Sequence, residues 1–541
     1  MNTDTARTFL FDLVLCCVFV SRALAGDTCT KDECSSRRPS QPNVVILLAD
    51  DVGYGDFASY GHPSQEYNAI DRLAAEGIRF QQFYAADSMC TPSRAALFTG
   101  RLPIRTGMVG GRRVLVDFNT GGLPKTEWTL PRLFKRAGYR TGMVGKWHLG
   151  INEKTSSDGV HLPSKHGFDY VGWNLPFTHL WDCDSSKIFQ KDGPVANKCF
   201  LYHGDTLKEQ PYKVDKLTDR LLEGWTEFLD QTLAEQEAKG GQRQPFFFYF
   251  SFPHAHSSPW WSHKVDTPSK RGIYGDTLNE MAWAVGQVID SLKLNALDKH
   301  TLVLFMSDHG PHREMCSYGG TTGLLKGGKS NSWEGGFRIP SIAWWPGVIG
   351  AGTVSNVVLS TLDVLPTMAT IVQQHGDDRP MLSKMKHYDG MDVTDYLLGA
   401  RTKDPTDQLA MKRPIYFYCN RKLMAVRYGK YKVHFKTSIT MENATHGCAH
   451  GVPEKEWYAA QLCTDSEVHE HDPPLVYDVN VDPGESYTLD TESKDVRTLL
   501  STVEDLVDEH DAEIDTDIAS AHGEFTPKVI PCCNYPKCEC G

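Results

Sequence analysis

The sequence predicts an α/β protein: a large, mostly parallel β-sheet flanked by helices, followed by a smaller α+β domain with an antiparallel sheet. Three observations carry this. Short apolar runs recur along the chain before Pro405, and the stretches between them have helical spacing. After Pro405 the order changes to closely spaced short strands and one late charged helix. Strands that alternate with helices argue for a parallel sheet, and hairpin-rich runs for an antiparallel one.

Residues 43–49 (NVVILLA) are apolar at nearly every position, as a strand buried on both faces must be. Residues 70–76 read as a helix. Another helix starts near Pro92-Ser93, because Cys90-Thr91-Pro92 supplies a polar cap and a proline whose missing N–H costs nothing in a first turn. Residues 129–137 read as a helix stopped by Gly138, and 141–144 as the next strand. A long amphipathic helix spans 214–239, then a strand 246–252, a helix 277–294 and a strand 302–306. Beyond Pro405, residues 415–418, 423–427, 431–435 and 475–479 read as short strands, and 493–515 as a charged helix. His469-Glu470-His471, before Asp472-Pro473-Pro474, reads as an exposed turn rather than a metal site. No internal repeat or low-complexity linker interrupts this order.

At 541 residues the chain exceeds one simple core, which fits one large domain and one smaller one. Its net charge of −12 and the lack of a long basic run exclude nucleic acid as a partner. An apolar stretch over 10–20 ends at Ala23-Leu24-Ala25, a small-x-small pattern that reads as a signal peptide over 1–25 with Gly26 first in the mature chain. Asp12 interrupts it and only Arg7 precedes it with positive charge, so an amphipathic or anchoring helix is the alternative. The longest later apolar run, 246–253, is far short of the roughly 20 residues that span a membrane.

Cysteine usage points to export. Of 15 cysteines, Cys16 and Cys17 lie in the signal, and setting Cys90 aside leaves an even set for disulfides of open connectivity. The tail pairs Cys532-Cys533 and Cys538-Glu539-Cys540 read as disulfides, with a small metal knuckle as the alternative. Asn443-Ala444-Thr445 is an N-glycosylation sequon and marks an exposed loop.

Polar clusters follow three of the buried strands: Asp50-Asp51, His254-Ala255-His256 and Asp308-His309. Sites in parallel sheets gather beyond the carboxyl ends of strands, so these clusters are expected to converge. Two adjacent carboxylates repel unless a cation or solvent separates them, so Asp50-Asp51 taken alone fits a solvated turn as well as a hard divalent ion.

The segment Cys90-Thr91-Pro92-Ser93-Arg94, continuing through Ala95 to Gly100-Arg101, resembles the signature of the sulfatase family. So do Tyr274-Gly275-Asp276, Ser307-Asp308-His309-Gly310, Lys326-Gly327-Gly328-Lys329 and Trp333-Glu334-Gly335-Gly336, which look most like animal aryl and steryl sulfatases. The resemblance runs from about Pro42 to Pro483. It implies an alkaline-phosphatase-like fold, hydrolysis of sulfate monoesters, and conversion of Cys90 to formylglycine by the formylglycine-generating enzyme in the endoplasmic reticulum. In the family the hydrated aldehyde is a geminal diol. One hydroxyl attacks sulfur and expels the alcohol; the other then loses its proton, the aldehyde re-forms and sulfate leaves. A serine in that place would be trapped as its sulfate ester.

The resemblance further implies one calcium ion held by Asp50, Asp51, Asp308 and His309 together with residue 90 (Cys90). Many members have asparagine or glutamine where His309 stands, and imidazole is a softer ligand. Lys146 and Lys329 match sulfate-binding residues, Thr178 a hydroxyl near the sulfate, and Arg94 the group that holds the diol oxygen and the ligand carboxylates. His148 matches the base of the release step. His256 matches the group at the leaving oxygen, with His254 as its competitor two residues earlier. The expected domains are 1–25 signal peptide, 26–41 N-terminal Cys-containing segment, 42–405 catalytic sulfatase domain and 406–541 C-terminal subdomain with the Cys-rich tail.

Steryl sulfatases carry an apolar membrane hairpin; the corresponding residues here, 181–244, are polar and charged, so membrane attachment is not carried over. Secretion and lysosomal delivery both fit an exported chain that ends Cys540-Gly541 without a retention signal. A steroid, a sulfolipid and a sulfated sugar would present the same sulfate to these residues. Two rivals stand beside this reading. One is a phosphodiesterase or phosphonate-ester hydrolase that shares C-x-P-x-R; the other is a non-catalytic extracellular-matrix protein that binds sulfated polysaccharide.

Overall fold

Along β1 (Asn43–Ala49) every residue is buried. Val44, Ile46 and Leu48 enter one core cluster, and Val45, Leu47 and Ala49 enter another, one on each face of the sheet. The computed structural model describes residues 41–541 apart from 185–191, 258, 263, 266, 374–380, 383–385, 403–412, 439–461 and 516. The signal segment, Cys29, Cys34, Asn443, Cys448 and the boundary at Pro405 lie outside the described residues.

The large sheet has ten strands. At its centre β8 (Thr301–Ser307), β1, β7 (Phe246–Ser251), β3 (Arg140–Lys146) and β4 (Tyr170–Leu175) lie side by side and parallel. On one flank β9 (Arg338–Trp344) runs antiparallel between β8 and β2 (Ile78–Tyr84), and β10 (Thr353–Ser360) pairs parallel with β2. On the other flank β5 (Leu201–His203) and β6 (Thr206–Glu209) close the sheet as an antiparallel hairpin.

Helices cover both faces. The face of Val45 and Leu47 packs α1 (Ala69–Glu76), α4 (Leu217–Ala238) and α5 (Ile273–Leu294). The face of Ile46 packs α2 (Cys90–Thr99), α3 (Leu130–Arg136) and α6 (Val364–Val372). Among the described residues no helix is long and apolar enough to cross a membrane.

The smaller sheet, β11 (Ile415–Cys419), β12 (Lys422–Tyr428), β13 (Tyr431–Ser438) and β14 (Val468–Asp478), is antiparallel throughout. Val426, Val433 and Val476 on one face receive Val496, Leu499 and Val503 of α7 (Lys494–Glu513). Ile415, Phe417 and Ala425 pack against Tyr84, Phe337 and Val358 of the large domain. His469-Glu470-His471 lies inside β14, not in a turn. Lys436 and Thr437 pair with Glu470 and His469 across the ladder, which keeps the segment extended.

The tail closes by disulfides Cys532–Cys538 and Cys533–Cys540, which removes the metal-knuckle alternative. Cys183–Cys199 and Cys419–Cys463 are also bonded. Before reaching its end the tail straps the large domain: Ala521 N donates to Gly107 O, Thr526 N to Phe118 O, and Gln210 N to Cys540 O.

Candidate active site

Four adjacent parallel strands deliver the site at their carboxyl ends. β1 is followed by Asp50 and Asp51, β8 by Asp308 and His309, β3 ends on Lys146 with His148 two residues on, and β7 leads to His256. Backbone bonds knit these ends together: Asp308 N donates to Ala49 O at 3.0 Å, and Asp50 N to His254 O at 2.7 Å. Gly145, at φ +89, admits the closest approach, since a Cβ there would sit 1.7 Å from the Ser251 carbonyl. Asp51 and His148, both at φ +58, are non-glycine residues held in left-handed conformation, a strain that persists where the surroundings over-determine it.

Cys90 opens α2, with Met89 as the extended cap residue. Its thiol is buried, the free cysteine among the described residues, 3.9 Å from Asp50 Oδ1 and 3.3 Å from His309 Nε2. Burial would raise the thiol's pKa, but Lys146, Lys329 and His309 outweigh it and hold it well below its ordinary value.

Three carboxylates and three cations interlock around it. Lys146 Nζ donates to both oxygens of Asp50 at 2.8 and 2.7 Å, and Lys329 Nζ to both oxygens of Asp51 at 2.7 Å. Arg94, fully buried on the next turn of α2, bridges Asp308 Oδ2 (Nε 3.1 Å, Nη2 2.9 Å) and Asp50 Oδ1 (Nη2 3.2 Å). Its Nη1 is anchored by Ser251 Oγ at 2.7 Å. Burial first, and then the neighbouring Asp308 carboxylate, push Asp50 up against the pull of Lys146 and Arg94. Asp51 is held low by Lys329 and the two neighbouring histidines despite its burial.

The histidines have assignable faces. His148 Nε2 lies 2.8 Å from Leu115 O; a carbonyl only accepts, so Nε2 carries the proton and Nδ1 is left without a hydrogen-bond partner. Burial lowers His148 to about 4, so the ring is neutral, and Cys90 is its strongest counteracting neighbour. His256 Nδ1 donates to Ser257 O at 3.0 Å, and its Nε2 receives Lys329 Nζ at 3.2 Å. His254 turns away: its Nε2 meets Thr218 Oγ1 of α4 at 3.2 Å, and its ring packs on Trp260 at 4.3 Å. The structure therefore brings His256, not His254, to the carboxylates.

His309 Nδ1 donates to Gly310 O at 2.8 Å, which turns Nε2 inward, 3.4 Å from Asp51 Oδ1. Metal-bound histidines commonly hold their second nitrogen in this way. Burial opposes a proton on His309, yet Asp308, Cys90 and Asp51 raise it to about 9. Ligand atoms of Asp51, Cys90 and His309, and likewise of Asp50, Cys90 and Asp308, all lie within 4.8 Å of one another. Three buried carboxylates and one inward imidazole fit a divalent cation. The three fixed cations already balance the carboxylates, so such an ion would leave net positive charge for an anionic ester.

The chain just before Thr178, rather than Thr178 itself, is bonded to the segment that carries His148. Trp147 N and His148 N donate to Leu175 O and Pro176 O, while the Thr178 hydroxyl turns to His179 O at 3.4 Å. Sequence reasoning missed Ser251, the anchor of Arg94, although it is the first polar residue after a run of five apolar ones and carried that signal. It also missed Leu115, whose carbonyl sets the His148 tautomer; a backbone acceptor leaves no trace in residue type.

The chain is similar to known proteins over most of its length. A family described as Sulfatase matches residues 42–373, and one described as C-terminal region of aryl-sulfatase matches 410–540. The chain is 43% identical over 498 residues to an arylsulfatase of Hemicentrotus pulcherrimus, covering 91% of this chain and 85% of that protein. It is 38% identical over 463 residues to arylsulfatase A of Homo sapiens, covering 83% of each. The crystal structure of a sulfatase from Pseudoalteromonas sp. superposes with a TM-score of 0.69 at 26% identity, over 88% of this chain and 91% of that one.

Proposed function

The chain belongs to the sulfatase family and is a sulfuric ester hydrolase of the arylsulfatase type, and from that premise we propose that it cleaves sulfate monoesters through a formylglycine made from Cys90. The observation that carries this reading is the setting of residue 90, buried among Lys146, Lys329 and His309 in a pocket built for developing negative charge. Converted by the formylglycine-generating enzyme, residue 90 supplies a diol whose first hydroxyl attacks sulfur and whose second releases sulfate as the aldehyde returns.

Lys146 and Lys329 hold the sulfate oxygens, and Arg94 holds residue 90 against the carboxylates. Asp50, Asp51, Asp308 and His309 would bind a divalent cation, calcium by their oxygen-rich character, which supplies positive charge beside the nucleophile. Lys329 Nζ–H is the proton source on this contact: His256 Nε2 takes that proton and passes it to the leaving alcohol oxygen, and solvent later restores it to Lys329. His148, neutral above about pH 4 and with a bare Nδ1, takes the proton of the second hydroxyl during release. Thr178, whose hydroxyl here faces His179 O, would line the sulfate side only after that hydroxyl turns. Residues 42–405 form the catalytic domain and 406–541 the C-terminal one.

The disulfides among the described residues suit an oxidising compartment, which supports cleavage of the signal before Gly26, glycosylation at Asn443 and delivery to the lysosome or the exterior.

Purified protein should turn over a chromogenic aryl sulfate far faster than an aryl phosphate diester. The opposite ranking would move the reading to phosphoester hydrolysis, and sulfated-polysaccharide binding without turnover of either would make the protein a binding module. The substitution His256→Asn should slow esters of poor alkyl leaving groups by about 10²–10⁴-fold and nitrophenyl sulfate much less, since a good leaving group needs no proton. Equal losses on both, measured as kcat/KM, would remove His256 from that role.

A further inference from the structure

Glu334, Lys432, His434 and Glu485 are ionisable, have fully buried side chains, and are not used by the reaction described above. They form one cluster where the small domain meets the loop that carries Lys329. Glu485 Oε2 accepts Glu334 N at 2.7 Å, while its Oε1 meets His434 Nε2 at 2.6 Å and Lys432 Nζ at 3.2 Å. Lys432 Nζ also reaches Glu334 Oε1 at 3.1 Å, and Glu334 Oε2 accepts Tyr84 O–H at 2.5 Å. The ring of Trp333 packs on His434, with centroids 4.4 Å apart. Glu485 itself stands at φ +49, a conformation that a glutamate holds only when its surroundings fix it.

The loop is too tight to yield. Gly335 N donates to Lys326 O at 2.7 Å, and a Cβ on Gly336 would lie 2.4 Å from Asn331 O. Between these points Lys329 N donates to Pro311 O, Ser330 N to Ser88 O, and Gly310 N to Gly336 O. One rigid unit thus joins the Cys90 and His309 segments to Lys329, and its outer end is tied to the small domain by Glu485.

We propose that Glu485 is a positioning residue for Lys329: by fixing Glu334 it sets where the loop presents the ammonium group to Asp51, His256 and the sulfate. Burying this many charges is costly and seldom adds stability over apolar packing, whereas it does define one orientation. The small domain thereby takes part in transition-state binding without touching substrate. This inference rests on the role given to Lys329 above.

A double-mutant cycle tests it on the full-length, secreted protein. Glu485→Ala should lower kcat/KM for an aryl sulfate about tenfold or more and weaken inhibition by inorganic sulfate, as small displacements of charged groups do. In a Lys329→Ala background the same substitution should change kcat/KM less than about twofold, because the group it positions is gone. An equal loss in both backgrounds would overturn the inference and leave the cluster as structural packing alone. Should Glu485→Ala fail to fold, His434→Leu removes one donor to Glu485 at similar volume and carries the same cycle. A Lys329→Ala protein as active as wild type would instead strike the hydrolytic reading on which the inference stands.

Discussion

Cys90→Ser is expected to transfer at most one sulfate per active site and then stop. Serine offers a hydroxyl at the same position, within the field of Lys146, Lys329 and His309 that lowers the native thiol. Attack on sulfur is therefore retained in kind. What is lost is the second oxygen on the same carbon, whose deprotonation by His148 would expel sulfate. Steady-state turnover of an aryl sulfate should fall by about 10⁴-fold or more, as when a nucleophile is removed outright. The peptide bearing residue 90 should carry a stable sulfate after exposure to substrate. Sustained turnover by the serine variant would mean that release does not need a diol.

Arg94→Met should be the most destructive single change to the site's framework. Arg94 is buried and touches Asp50 and Asp308 at 2.9–3.2 Å, with Ser251 fixing its far nitrogen. Methionine fills similar space and leaves two buried carboxylates without that cation. Breaking a buried ion pair from one side costs about 3–5 kcal/mol, because the stranded charge cannot be rehydrated. A clearly lowered melting temperature and loss of activity are expected together. Unchanged melting with lost activity would show that Lys146 and a bound ion alone balance the carboxylates.

Much of this architecture was legible in the residues. β1, β7 and β8 are buried on both faces and announce themselves as apolar runs, so the polar groups at their ends were visibly candidates for one site. β2 and β9 were not read. In β2, Gln81 and Gln82 interrupt the apolar pattern. β9 carries Pro340, which argues against an interior strand. Pro340 is tolerated because the β8 pairing ends at Ser341 and the β2 pairing is irregular between Phe80 and Phe83.

At the site, residue types in motif register located Asp50, Asp51, Cys90, Arg94, Asp308 and Lys329, and the structure gathers them. Motif register favours His256, although residue type alone does not separate it from His254 on the same segment. Packing places them apart: Trp260 and Thr218 draw His254 into the helical layer, and Lys329 meets His256. The link from Glu485 to Glu334 in the Lys329 loop joins positions 151 apart in sequence and is visible only when folded.

The central claim is that residue 90 acts as an aldehyde, and peptide mass spectrometry across it tests this most directly, on protein from a eukaryotic secretory host that modifies other sulfatases. The account predicts a peptide that has lost the sulfur of Cys90 and gained a carbonyl oxygen that reacts with a hydrazide. An intact thiol at Cys90 in fully active protein would contradict it.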